Sequence, residues 1–110
     1  MSTHHSHRDR AETLRTAVGI DTGVTEAALR TAVARRAAGG PAVAEPYDEL
    51  ARQIGEASYR VTDAEVAAVR NVAGSDKAAF EVVMSACVGA GLARWDAAVR
   101  VIEEATDAPA

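Results

Sequence analysis

The chain has little of what most catalytic and redox motifs require. A single cysteine, Cys87, stands among 110 residues, which excludes an intramolecular disulfide and every zinc or redox motif built on CxxC. Histidine is confined to His4, His5 and His7. Ser85 therefore has no imidazole beyond residue 7 to activate it, and its hydroxyl is expected to bond back to a helical carbonyl rather than attack a substrate. The three histidines lack a matching fourth ligand, so no metal site is expected there. Lysine occurs once, at Lys77, and the arginines are scattered through a chain of net charge −4. That balance opposes a phosphate backbone, which calls for clustered cations, and no nucleic-acid partner is expected. Gly39-Gly40 and Gly89-Ala90-Gly91 follow no expected strand, so neither reads as a phosphate-binding loop and no cofactor is expected.

Aromatic residues make up 4% of the chain, against 48% hydrophobic residues overall, and most of that apolar share is alanine and valine. Each buried alanine contributes little apolar area, so close backbone approach or cover from a second subunit must make up the difference. A chain of this length buries only about two-thirds of its unfolded surface, which also favours self-association. The longest apolar run, residues 78–92, is broken by Glu81 and Ser85 and reads as too short and interrupted to span a bilayer. The first ten residues show no apolar core of an export signal. These features together predict a soluble, cytoplasmic protein with no membrane partner.

What is present reads as helix throughout. No stretch alternates with period two, and the valines fall at helical spacing among alanines, so the expected class is all-α: a small bundle of about five helices. Residues 1–9 are expected as a loose tail, 10–105 as a single helical domain and 106–110 as a loose end. A first helix is expected over 10–18 through Leu14 and Val18, closing at Gly19 before Asp21-Thr22-Gly23. A second, with Thr25 as N-cap, runs through Leu29 and Val33 to Arg35 and Arg36, cations suited to a C-terminal end ahead of Gly39-Gly40-Pro41. A third starts at Pro46 and turns Tyr47, Leu50, Ala51, Ile54, Ala57 and Ser58 to one side. Thr62-Asp63-Ala64-Glu65 is a capping box, with Val61 and Val66 placed as a hydrophobic staple, and the helix it opens stops at Gly74. Ser75 caps the next helix. From Ala79 that helix is apolar nearly all round, which predicts burial on every side, either at the centre of the domain or under a second subunit. Gly89 and Gly91 lower helix propensity while admitting another backbone, and a final helix is expected on Trp95, Ala98, Val99 and Ile102.

Four residues are candidates for chemistry. Glu81 is the one carboxylate among the large apolar residues of the central helix: exposed beside Lys77 it is merely solvated, whereas buried it would gain a raised pKa and suit acid–base work. Tyr47 and Tyr59 offer phenols, although both fall on apolar stripes where packing is the plainer role. Arg94 could hold a substrate carboxylate, and Trp95 beside Asp96 reads as a packing or interface anchor. Cys87, flanked by Ala86 and Val88, is expected to be an unreactive core residue.

The segments Tyr59-Arg-Val-Thr-Asp-Ala-Glu-Val-Ala-Ala-Val-Arg, Ser75-Asp-Lys-Ala-Ala-Phe-Glu-Val-Val and Gly89-Ala-Gly-Leu-Ala-Arg-Trp-Asp-Ala resemble the C-terminal half of alkyl hydroperoxidase D-like proteins of the carboxymuconolactone decarboxylase-like superfamily, over about residues 45–105. The resemblance implies an all-helical fold whose protomers bury apolar helices against each other. Peroxidatic members use a CxxC pair with a histidine and an upstream glutamate, and this chain lacks the pair. The resemblance therefore implies no disulfide-based peroxidase and carries over no catalytic residue. Three functions follow as expectations: a homo-oligomeric accessory or binding protein for a small apolar ligand; a decarboxylase- or isomerase-type acid–base enzyme with an interfacial pocket; and a helical protein–protein interaction module.

Overall fold

Local capping chemistry sets where the best-defined helices begin. The Glu65 amide donates to the Thr62 hydroxyl at 3.2 Å, and the Ala78 amide donates to Ser75 Oγ at 3.1 Å, each satisfying an N–H that the helix cannot. In a computed structural model, which describes residues 3–20 and 22–107, the chain forms five helices: α1 (Thr3–Gly19), α2 (Ala27–Ala37), α3 (Tyr47–Ala57), α4 (Asp63–Ala73) and α5 (Asp76–Asp107). A 3-10 turn, Ser58–Arg60, joins α3 to α4, and no strand occurs among the described residues. The all-α class is as expected. Asp21, residues 108–110 of the loose end expected at 106–110, and the side chains of His4 and His5 lie outside the described residues, whereas Thr106 and Asp107 of that end are helical and complete α5.

Three further boundaries differ from expectation. Helix α1 begins at Thr3 rather than near residue 10, because its polar first half lies along α5 and gains partners there. The α2 N-cap is Glu26, with no side-chain cap bond; the Thr25 amide and hydroxyl, expected to open the helix, donate instead to Glu81. The two helices expected on either side of Gly89–Gly91 are one, α5, with 32 residues. A single glycine costs a helix about 1 kcal/mol, too little to break one whose face is held by packing. The position of Gly89 shows why glycine is needed there: a Cβ would stand 2.1 Å from the Ala34 carbonyl oxygen of α2. Gly55 of α3 is equally close-set, with Ala37 O 2.2 Å from where its Cβ would be. At Gly74, φ of 101° ends α4 in the left-handed conformation that glycine adopts without strain.

The core is small and built of short side chains. Leu50, Val33, Val69 and Val82 are fully buried, joined by Ala37, Ala51, Ile54, Ala79, Ala86 and Ala90, so α2, α3 and α4 converge on one face of α5. The other faces of α5 are not covered in this way. Phe80 is 63% exposed, Met84 44% and Ile102 61%, which corrects the expectation that the helix is buried all round within the chain. Helix α5 is about 48 Å long at 1.5 Å per residue and outruns the bundle. The radius of gyration is accordingly 15.6 Å, against roughly 13 Å for a compact domain of this length. Beyond Asp96 only Val99 is even partly covered among residues 97–106.

That continuity also changes the membrane reading. Unbroken, residues 76–106 reach a mean hydropathy of 1.3 over their best 18-residue window, so α5 is long and apolar enough to cross a bilayer by length and composition alone. The expectation of too short a run rests on Glu81 and Ser85 as interruptions and on an end at Leu92, whereas the helix carries both residues and continues beyond.

Candidate functional site

Glu81 is neither solvated beside Lys77 nor a raised-pKa acid. Its carboxylate accepts from the Val24 amide at 2.9 Å, the Thr25 amide at 2.9 Å and the Thr25 hydroxyl at 2.6 Å, and Arg30 Nη1 stands 3.6 Å away. The Thr25 hydroxyl and amide, then the Val24 amide, then the guanidinium stabilise the charged form and pull its pKa down from 4.5 to about 2. A carboxylate that is such a weak base, with its oxygens engaged, is unsuited to general acid–base work at neutral pH.

Arg30 was not singled out by the sequence and is the most deeply buried charge among the described residues, at 4% exposure. Nε donates to Val18 O at 2.9 Å, Nη1 to the Thr25 carbonyl and hydroxyl, and Nη2 to Ile20 O. Arg30 and Glu81 thus pin the end of α1 and the α1–α2 loop to α5. Ser85, one turn on, donates its hydroxyl to the Glu81 carbonyl at 2.7 Å, the helical back-bond expected of it.

The remaining candidates do not converge with Glu81. Arg94 lies 13 residues further along α5, about 20 Å at helical rise, and donates to Gly55 O at 2.8 Å. The groove beside it holds Arg36, Arg52 and Glu56, but Arg36 is bound to Asp48 at 2.8 Å and Arg52 to Glu49 and Glu56. Asp48 is held below its ordinary pKa, chiefly by the Val43 amide and further by Arg36. Tyr47 packs against the core as its stripe predicted. Tyr59 does not: it is 83% exposed, with the Arg60 guanidinium 5.7 Å from its ring centre, because the 3-10 turn rotates it off the α3 stripe.

The concavities with the most apolar walls lie between α1 and α5. One, of about 390 Å³, is lined by Ala11, Leu14, Cys87, Val88, Leu92 and Trp95, with exposed His7 and Arg10 among its polar members. A second, of about 350 Å³, is bordered by Ile20, Phe80 and Met84 and also by Arg30, Glu81 and Ser85, and shares Leu14 and Val88 with the first as wall residues. Cys87 is exposed on this trough, which corrects its assignment to the core: it falls seven residues after Phe80 on the uncovered side of α5, and the core side is taken by Val82, Ala86 and Ala90. Trp95 borders the trough and faces His7, ring centres 5.7 Å apart. Salt bridges from Arg15 to Asp96 at 2.7 Å and Arg8 to Glu103 at 3.0 Å fasten α1 alongside. Among the described residues no group of three or more His, Cys, Asp and Glu side chains is placed to hold a metal ion.

Following α5 in steps of four and three residues traces one stripe, exposed except at half-buried Trp95: Phe80, Met84, Cys87, Gly91, Trp95, Ala98 and Ile102. None carries a charge. Comparison with family models, curated proteins and solved structures finds no match to this chain.

Proposed function

We propose that this chain is a self-associating helical protein that takes up a small apolar ligand in the trough between α1 and α5, as a non-peroxidatic relative of the carboxymuconolactone decarboxylase-like proteins. The observation that carries the reading is the trough itself: two adjacent concavities with mostly apolar walls, each of the volume that holds an ordinary small molecule, on a helix whose Phe80 and Met84 stand exposed. His7 and Arg10 among its polar members favour a ligand with an apolar body and one anionic end. With one exposed thiol and no disulfide partner for it in the chain, Cys87 goes with a reducing, cytoplasmic setting. The acid–base enzyme is less well supported: Glu81 borders the second concavity, but its oxygens are occupied by Thr25 and Val24, with Arg30 beside them.

The sole tryptophan, Trp95, lines the trough and reports on it directly. Titration with anilinonaphthalene sulfonate and with a medium-chain fatty acid is expected to shift and saturate Trp95 emission, and Leu14→Asp to abolish the response while the circular dichroism spectrum stays helical. Emission that is indifferent to both ligands would remove the ligand-binding reading.

A further inference from the structure

We propose that a second copy of this chain covers the α5 stripe, the two α5 helices running antiparallel about a two-fold axis at Gly91. The inference rests on the self-association reading above and names its interface, in which the partner's helix roofs the open side of the ligand trough whose α5 wall the stripe forms. With Gly91 on the axis, each residue n faces 182 − n of the partner. Met84 then faces the partner's Ala98, and Trp95 faces the partner's Cys87, so large side chains oppose small ones. At the centre a Cβ on Gly91 would meet nothing within 4 Å, which leaves room for a second backbone. At the two ends Phe80 faces the partner's Ile102; helices packed at an angle diverge away from their crossing, and large pairs fill the widening gap. Phe80 and Ile102 each lie 11 residues from Gly91, a spacing that keeps the stripe in phase along a straight helix.

The same pairing accounts for both uncovered parts of α5. The overhanging end, residues 97–106, lies on the partner's exposed first turns, and the reverse holds by symmetry. No like charges are brought together along the stripe, because the neighbouring carboxylates are held elsewhere: Glu81 by Thr25 and Arg30, Asp96 by Arg15. The stripe, about 33 Å by 12 Å, removes on the order of 800 Å² from the pair, less than the roughly 1,200 Å² of stable dimers. That makes the dimer a weak, transient one that dissociates on dilution.

Disulfide trapping tests the register. In a Cys87→Ser background, Gly91→Cys places two thiols at the crossing, where helix backbones about 8 Å apart bring the Cα atoms within disulfide reach. Oxidation of the concentrated protein is expected to convert most of this variant to covalent dimer, an outcome lost on prior dilution. The unaltered chain is expected to give none, because the two Cys87 residues lie about 12 Å apart along the helices. The pair Met84→Cys with Ala98→Cys, again without Cys87, is a second trap at another level of the same interface and is also expected to link. A dimer seen by light scattering that links at neither level, or that links through Cys87, overturns this interface and leaves self-association standing. A protein monomeric at every concentration overturns both. A monomer that instead sediments with phosphatidylcholine–phosphatidylglycerol vesicles, and loses this with Phe80→Glu, assigns the stripe to lipid and overturns the dimer.

Discussion

Glu81 and Arg30 are 51 positions apart in a chain whose neighbourhood of α5 is otherwise apolar, and the pair is held by its hydrogen bonds more than by its charges. Glu81 has a folded-state pKa of about 2 against 4.5 for the free carboxyl. Between those values the unfolded chain binds a proton that the folded chain does not, so acidification through this window favours unfolding; above pH 4.5 the contribution is complete, and below pH 2 it is gone. Glu81→Gln is expected to lower stability at pH 7 by about 1–3 kcal/mol, the range for removing a charged hydrogen-bond partner. Urea denaturation of both proteins should show the gap closing as pH falls from 4.5 towards 2; equal stabilities at pH 7 would mean that the tie carries no weight. Nothing local announces this pair, because neither residue has a patterned neighbour that points to the other. Gly89 and Gly91 present the opposite case, two residues alike in sequence with different surroundings. Gly89→Ala is expected to cost about 1–3 kcal/mol by overpacking against Ala34. Gly91→Ala, open to solvent in the single chain, is expected to gain up to about 1 kcal/mol of helix propensity when measured at high dilution. Similar thermal shifts for the two would contradict the close approach of α2 and α5 at Gly89.

Among elements, those whose chemistry is local were legible and those whose shape depends on distant packing were not. The α4 cap could be read from four residues, and Thr62 performs it, although the reciprocal contact runs from the Thr62 hydroxyl to Glu65 Oε1 at 3.1 Å rather than from the Thr62 amide. Thr62→Ala is expected to cost about 1 kcal/mol, readable as a fall in the denaturation midpoint with the slope unchanged; a change in slope instead would mean that α4 no longer folds with the rest. The α3 stripe was equally legible, since Leu50, Ala51 and Ile54 recur at the spacing that a one-sided helix requires and are all buried. Helix α5 departs from its sequence pattern at two points. Its glycines predict both a break and the approach of another backbone; Gly89 does admit Ala34 of α2, but the helix runs through unbroken. Its apolar residues predict an all-round core helix, whereas they divide between a covered face of small residues, Ala79, Val82, Ala86 and Ala90, and an open one that carries Phe80 and Met84. The same division moved Cys87 from the core to the trough. The trough could not be foreseen, because it needs α1 laid beside α5, and the polar first half of α1 shows no apolar pattern of its own.

At the scale of the whole molecule the feature that most needs explanation is the end of α5. Residues 97–106 extend past the bundle with α1 as their neighbour, tied by surface ion pairs such as Arg8 to Glu103, both half exposed. Pairs of that kind contribute at most about 1 kcal/mol and are screened by salt. A helix end held only so opens at little free-energy cost, and its amides should exchange with solvent quickly in the isolated chain. Cover by a second copy alters this in proportion to concentration, because exchange then waits on dissociation. Hydrogen exchange followed from high dilution to high concentration is therefore expected to slow at residues 97–106, whereas the exposed turn Ser58–Arg60, which lies off the stripe, stays fast throughout. The chain's net charge of −4 adds a mutual repulsion that salt screens. Moderate salt is accordingly expected to loosen the α1–α5 ion pairs in the dilute protein while tightening the protection of the same residues in the concentrated one. Protection at 97–106 that ignored concentration would mean that nothing covers this end, and the apolar stripe would then have no second copy upon it.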